Sequence, residues 1–594
     1  MAATVDGFPF SDLASSLPIT DRASLVGLDD NDVRVWSAAK ADEYRRFALA
    51  LLSIHNAVAP IHRLPFEILS KIFEGSWTDR KSFRIGHVCR RWRSVLLGTT
   101  RFWADAVANE QFSPSHRAVG YLGVTLERSA PRNVELSFSR FWGAFSRSIA
   151  SHTGRTVSLA VTVADGSQLV ALWSCLSSGM PQLQTLTITF DLDADPDHRS
   201  WTSNPRIEPL SAGTLPRLTR VTAPAVLLPS LTVPSLQHIT LENLYGRYSP
   251  EGRLASYEGF CEALAVCAAS LETLVLLDVG PRAYDDLPCS ISLPVLRHLR
   301  IADTTRRCAL ILSRLAFPDT THIHCANVDN GALCATLPID SASIIDSHIS
   351  ATDRVEIRGN AEATSVHCHA GSDEELLCVG LAGVRRGLRP DDLVRLFRRP
   401  GAARGVTHLT VAGLDGRDVQ GVELRAFPHL VRLDVRGEMA GYVLPNLARR
   451  DDEPEPLDGH HGRRAAGVVS PGLKTLAVDF HFASGTDLGT ALRGGDMAVV
   501  EADLRARCAA LGRVLSQRSQ MGGSNVAQLE FGCTEQGWSV GPNERKCTPA
   551  RDPLACSDWV SWRPIVAPLE KLVDGPVVFT GYRFFLASTD RRKL

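Results

Sequence analysis

One six-residue apolar pattern, L-x-x-L-x-L with other aliphatics or Phe at the L positions, recurs along most of this chain and limits what it can fold into. The clear copies run Leu183–Ile188, Leu236–Leu241, Leu271–Leu276, Leu296–Ile301, Leu430–Val435, Leu473–Val478 and Val526–Phe531. Weaker copies stand at Val134–Phe138, Val157–Val161, Leu215–Val221, Val355–Ile357 and Val406–Val411, and a last strand-like run at Val577–Phe579. The final two apolar positions of each copy are two residues apart, the period of a strand with one buried face. Pro181, Pro234, Pro294, Pro428 and Pro471 stand just upstream of five copies. Helical stretches lie between: Leu169–Leu176, Phe260–Cys267, Ala309–Leu315, Leu393–Phe397 and Leu504–Leu515. A strand, a helix and a parallel strand form a unit that cannot bury its apolar face alone, so neighbouring units must stack.

The spacing is uneven. The middle apolar residues at 186, 239, 274 and 299 are separated by 53, 35 and 25 residues, whereas regular leucine-rich repeats run about 20–29. An irregular leucine-rich-repeat-type array over residues 120–585 is therefore expected, interrupted at 449–466 (RRDDEPEPLDGHHGRRAA) by a flexible charged loop with almost nothing apolar to offset ordering. The strand positions between the leucines (Thr187, Thr240, Val275, Arg300, Asp434, Ala477) would form its recognition surface, and they share no charge or aromatic theme.

Bulk properties exclude several partners. A formal net charge of -1 gives no global reason to expect nucleic acid. No run approaches the roughly 18 apolar residues of a membrane span, and Met1–Pro18 has neither a basic nor an apolar signal region. The 14 cysteines contain no C-x-x-C pair, which fits small core residues in a reducing compartment, cytoplasmic or nuclear.

Upstream of the array the pattern is helical. Residues 1–30 mix small and turn-prone types and are expected to be poorly ordered. Over 31–59, Tyr44, Phe47, Leu51, Ile54 and Val58 step three and four apart, an amphipathic helix whose seam packs on its own domain or pairs as a coiled coil. After Pro60, Pro65 and Glu67 suit a helix N-terminus, with Ile68, Leu69, Ile72 and Phe73 on one continuous face and Gly75 as the stop. A second amphipathic helix places Ile85, Val88, Cys89, Trp92, Val95 and Leu96 on one face, with Arg84, Arg90, Arg91 and Arg93 largely off it.

These residues resemble the F-box-like domain of fungal proteins, especially those of mushroom-forming species. Pro60-Ile61 through Phe73 fits P-I-x-x-L-P-x-E-I-L-x-x-I-F, Val88-Cys89 and Trp92-Arg93 fit V-C-x-x-W-R, and Phe102-Trp103 fits the closing L-W with Phe for the commoner aliphatic. The resemblance covers 61–107. It implies an α+β multi-domain chain: a small helical F-box-like segment followed by an irregular α/β leucine-rich-repeat-type solenoid, or horseshoe. It also implies a non-catalytic substrate-recognition subunit of an SCF-type (cullin–RING) ubiquitin ligase. Such a subunit docks to a Skp-type adaptor and its cullin complex, and takes an unknown protein substrate on the array. A non-ligase interaction scaffold with a decayed F-box is the alternative. The adaptor-facing residues would be Leu64, Pro65, Ile68, Leu69, Ile72, Val88 and Trp92, and the structural core Phe73, Val95 and Trp103. Three short helices without metal or disulfide are poorly equipped to close a core alone, so a leftover apolar face is expected to meet another protein, unless it packs on the upstream helix or first repeat.

No phosphate-binding, dinucleotide-binding or nucleophile-elbow motif is present, so no enzyme, cofactor or metal is expected. His322-x-His324-Cys325 and His367-Cys368-His369 place two side chains on one strand face each, but a tetrahedral site needs more ligands and no spaced partner set follows. Strand packing is the simpler reading of both.

Overall fold

The computed structural model describes residues 15–191, 207–242, 257–279, 290–327, 344–359, 363–371, 374–382, 390–397, 405–413, 424–437, 443–448, 469–482, 497–536 and 563–585, with residues 329, 336, 337 and 422. The chain forms two compact units, Met1–Ser137 and Phe138–Leu594.

The first unit is helical. Helix α1 (Ile19–Leu25) falls inside the stretch expected to be poorly ordered. It is held because the Asp21 carboxylate accepts from Tyr44 and pairs with Lys40 at 3.1 Å, both on the next helix; residues 1–14 lie outside the described residues. Helix α2 (Asp30–Val58) starts where the Asp29 carboxylate accepts from the amides of Asn31 and Asp32 at 2.9 and 2.8 Å. Beyond Tyr44 the seam does not pack on its own domain among the described residues. The helix buries no residue, and Phe47, Leu51, Ile54 and Val58 are 56–67% exposed. Then come α3 (Phe66–Glu74), α4 (Ile85–Val88), α5 (Arg90–Gly98), α6 (Thr100–Ala108) and α7 (His116–Ser129). The last of these spans residue 120, where the array was expected to start: the Ser115 hydroxyl accepts from the Ala118 amide at 3.1 Å and caps a helix that belongs to the first unit.

The second unit is built on a long, mostly parallel sheet. Strands β1 (Thr156–Val163), β2 (Thr185–Phe190), β3 (Arg220–Pro224), β4 (His238–Glu242), β5 (Thr273–Leu277), β6 (His298–Asp303) and β7 (His322–Asn327) lie side by side in chain order, all parallel. Their register joins Leu159, Leu186, Val221, Ile239, Leu274, Leu299 and Ile323 into one row, each at most 2% exposed. Helices cross over between strands: α8 (Gly143–Ala150), α9 (Gly166–Ser177), α10 (Tyr257–Cys267), α11 (Thr305–Arg314), α12 (Ile344–Ala351), α13 (Pro390–Phe397), α14 (Met497–Gln520) and α15 (Arg563–Glu570).

The order then reverses. Strands β8 (Arg354–Gly359), β9 (Ala363–Ala370) and β10 (Glu374–Ala382) form an antiparallel meander laid backwards, so that β10 pairs with β7 and β8 pairs with β11 (His408–Gly413), both parallel. Gly371 sits in the β9–β10 turn with φ +62°, a conformation glycine adopts at little cost. Parallel addition resumes through β12 (Arg432–Gly437), β13 (Thr475–Phe482), β14 (Gln528–Gln536) and β15 (Val577–Phe585). The loop expected at 449–466 lies outside the described residues.

The upstream prolines have a local cause. The first apolar residue of a copy donates its amide three residues back: Leu183 to Met180, Leu218 to Leu215, Leu236 to Val233, Leu296 to Leu293, Leu430 to Phe427 and Leu473 to Ser470, at 3.1–3.3 Å. Each turn carries proline at its second position (Pro181, Pro216, Pro234, Pro294, Pro428, Pro471), where a fixed φ suits the turn and no amide donor is needed. The turn sets the chain's entry angle, and the next residues enter the ladder.

Among the described residues no helix is long and apolar enough to cross a membrane. Two measurements test these assignments. Leu51→Asp or Ile54→Asp on α2 is expected to change thermal stability of the full chain by less than about 0.5 kcal/mol, since both side chains are already in water. Arg518 is 1% exposed and donates to the carbonyls of Val469 and Ser470, both at 2.7 Å. Arg518→Leu removes two charge-assisted bonds to buried carbonyls and is expected to cost about 3 kcal/mol in denaturant unfolding.

Candidate functional site

The helical core of the first unit is closed by Leu69, Phe73, Val95, Leu96, Phe102 and Trp103, with Leu64, Trp77, Phe83, Ile85 and Trp92 packed against it. Three short helices therefore do close a core, because the loop between α3 and α5 supplies aromatic side chains. Phe102 meets Trp77, Phe83 and Trp103 edge-on, with ring centroids 5.3, 5.9 and 5.6 Å apart. From α7, Tyr121 stands edge-on to Phe83 at 5.9 Å, and Arg128 lies over Trp103 at 4.7 Å. Phe102, the departure from the commoner aliphatic, is fully buried in this cluster, and such pairs contribute about 0.5–1.5 kcal/mol each beyond burial.

Polar bonds fix the helices around this core. The Trp103 indole donates to the Leu96 carbonyl at 2.9 Å, and the Thr99 hydroxyl donates to the Val95 carbonyl at 2.8 Å while meeting Ser70 at 3.0 Å. Arg93 donates to the Gly86 carbonyl at 2.9 Å. Arg91 donates to the carbonyls of His62 and Leu64, tying the turn before α3 to α5. Arg80 holds Glu110 through two bonds of 2.9 and 2.6 Å, and the pairing raises the affinity of its guanidinium for its proton.

The residues expected to face an adaptor fall into two groups. Leu69, expected on the docking face, is fully buried beside Phe73 and fills the core. Leu64 and Trp92 are partly buried against the same core, and the Trp92 ring lies 5.3 Å from Phe73. Pro65 is exposed, and Ile68, Ile72 and Val88 stand at 48%, 49% and 52% exposure. Phe73, Val95 and Trp103 are buried. The apolar arc of α3 is thus wider than the core beneath it: at about 100° per residue, Pro65, Ile68 and Ile72 form a stripe beside the buried pair Leu69 and Phe73. Phe66, 48% exposed on the other flank, and Ile61, 37% exposed, are further exposed apolar residues that escaped the sequence reading. Their signal lay in the motif itself, because both are large apolar residues that no helical period assigns to the core.

Residues 61–107 match the family model described as F-box-like. The match starts at the turn before α3 and ends one residue short of the end of α6. Among curated proteins no match is found. The first unit therefore carries an F-box-like domain, a class of protein-interaction module.

In the second unit, the strand positions expected to form a recognition surface are aligned by the register. Thr187, Thr222, Thr240, Val275, Arg300 and His324 make one row, and Asp434, Ala477 and Glu530 continue it beyond the meander. Arg432 bridges Asp434 at 2.9 Å and Glu530 at 2.8 Å, and the pairing raises its pKa. Cys325 and Cys368 of the two His/Cys clusters point into the core, leaving their histidines on the opposite face. Among the described residues one group, His367, Glu375 and Cys378, brings together side chains that metals favour.

Leu69→Ala is expected to cost about 2–5 kcal/mol in equilibrium unfolding, whereas Ile68→Ala, three-dimensionally adjacent but half in water, is expected to cost under about 1 kcal/mol.

Proposed function

We propose that this chain is the substrate-recognition subunit of an SCF-type (cullin–RING) ubiquitin ligase. Its F-box-like domain docks to a Skp-type adaptor that joins it to a cullin, and the parallel array, an irregular leucine-rich-repeat-type solenoid, binds the protein substrate. The observation that carries this reading is the apolar stripe of Pro65, Ile68 and Ile72, held in water on a core that closes without it. A folded domain gains nothing from such a stripe alone, and half-exposed isoleucines contribute roughly 1 kcal/mol each when a partner covers them. Val88, Phe66 and Ile61 extend the apolar area.

The test is association of the purified full chain with a purified Skp-type adaptor, measured by calorimetry. Wild type is expected to form a one-to-one complex, and Ile68→Ala/Ile72→Ala to weaken it by roughly 30-fold while unfolding at nearly the wild-type midpoint. No association of the folded wild-type chain at about 10 μM, an affinity of roughly -7 kcal/mol, overturns the proposal. Adaptor binding without cullin-dependent turnover of any captured protein favours the interaction-scaffold alternative.

A further inference from the structure

The reversed meander concentrates metal-ligating chemistry on one face of the sheet. Direct partners across three adjacent strands are His324 on β7, Cys378 on β10 and His367 on β9. Strands lie about 4.8 Å apart and directly paired residues share a face, so these three side chains stand abreast. A register shift between Cys368 and His369 brings Glu375 opposite His369, one step along the same face. The ligand atoms of His367, Glu375 and Cys378 all lie within 4.8 Å of one another.

We propose that His367, Glu375 and Cys378 form a site for a divalent zinc-type cation, with the neighbouring His324 or a water as fourth ligand. The His367 Nδ1 to Glu375 Oε2 separation is 3.3 Å, which is the edge of a tetrahedron with bonds of about 2.0 Å. The other ring nitrogen, Nε2, lies 2.8 Å from the Ser365 hydroxyl. That contact orients the imidazole as outer-shell partners of metal-bound histidines do, with Nδ1 toward the carboxylate. Two further histidines point the same way. His324 Nδ1 and both ring nitrogens of His369 are shielded from solvent and make no hydrogen bond, although buried ring nitrogens are usually paired. A cavity of about 190 Å³ lined by His298, Arg300, His322 and His324 reaches Glu375.

The charges balance. Cys378 is 3% exposed and stands beside the Glu375 carboxylate. A coordinated divalent cation deprotonates a bound thiol outright. The Glu375 carboxylate and the Cys378 thiolate then match its two charges. Arg300 opposes the cation from the cavity wall, while Arg358 is taken up by Glu356 at 2.8 Å. Neither Cys325 nor Cys368, both on the opposite face, can reach the site.

The site is independent of adaptor docking, and its test needs no partner. The full chain, stripped with a chelator and shown to be folded by circular dichroism, is titrated with cobalt(II). Saturation at one equivalent is expected, with the visible bands of a tetrahedral site and a near-ultraviolet thiolate-to-cobalt band. Cys378→Ser is expected to remove the thiolate band, His367→Ala to abolish saturable uptake, and Ser365→Ala to weaken uptake roughly 10-fold. Cys368→Ser is expected to keep both signals. A thiolate band that survives Cys378→Ser, unchanged uptake in folded His367→Ala, or no saturable uptake by the wild-type chain overturns the proposal.

Discussion

The second unit depends on one constraint: a row of aliphatic side chains, one or two per strand, can leave water only if the next strand adds in register beside it. Leu186, Ile239, Leu274 and Leu299 are each at most 1% exposed because each has a neighbour on both sides along the row. Parallel addition demands a long return path between strands, and the uneven spacing of the copies is the uneven length of those returns. The Pro-x-Leu turn makes this tolerable. It resets the chain's direction at the start of each strand, whatever length of chain has come before it.

The first unit solves a different problem with the same material. Its helices are too short to bury all their apolar surface against one another, so the core takes what aromatic packing can hold. Leu69 and Phe73 go inside with Phe102 and Trp103, and Pro65, Ile68 and Ile72 stay out. Buried and exposed apolar residues are thereby separated on one helix, residue by residue. The Arg91 bonds to the carbonyls of His62 and Leu64 matter for that separation, since they fix the turn that aims α3.

Much of this organisation was legible in the sequence. Every clear L-x-x-L-x-L copy became a strand, and the predicted helical stretches at Leu169–Leu176, Phe260–Cys267 and Leu504–Leu515 lie within α9, α10 and α14. Periodicity could not tell which part of an apolar helix face is covered, because that depends on the aromatic neighbours Trp77 and Phe83, which belong to no periodic segment. So Leu69 and Ile68 looked alike. The helix Ile19–Leu25 escaped because its anchor is a polar one, Asp21 with Lys40 and Tyr44, and not an apolar stripe.

The least legible segment, β8–β10, is also where the chemistry gathers, and the two facts have one cause. An in-order parallel array brings together only residues that are one repeat apart, so a histidine on one strand meets whatever the next repeat happens to carry. Reversing three strands sets β10 beside β7 and puts residues 323–327 against 377–381. It also sets β9 against β10, so that His367 and Cys378, eleven residues apart in sequence, pair directly. Strand β10 is covered on both faces, with Leu376, Leu377, Cys378 and Val379 all at most 6% exposed. It therefore lacks the alternation that marks a half-buried strand in sequence. That same double coverage lowers the local dielectric around Cys378. Charged groups there are costly when alone and strongly coupled when paired. The His367 contact already holds the Glu375 carboxyl below its ordinary range against that burial. In the half-buried Arg432–Glu530 bridge the cation is supplied by the chain itself, whereas around Cys378, 3% exposed, the carboxylate of Glu375 faces histidines.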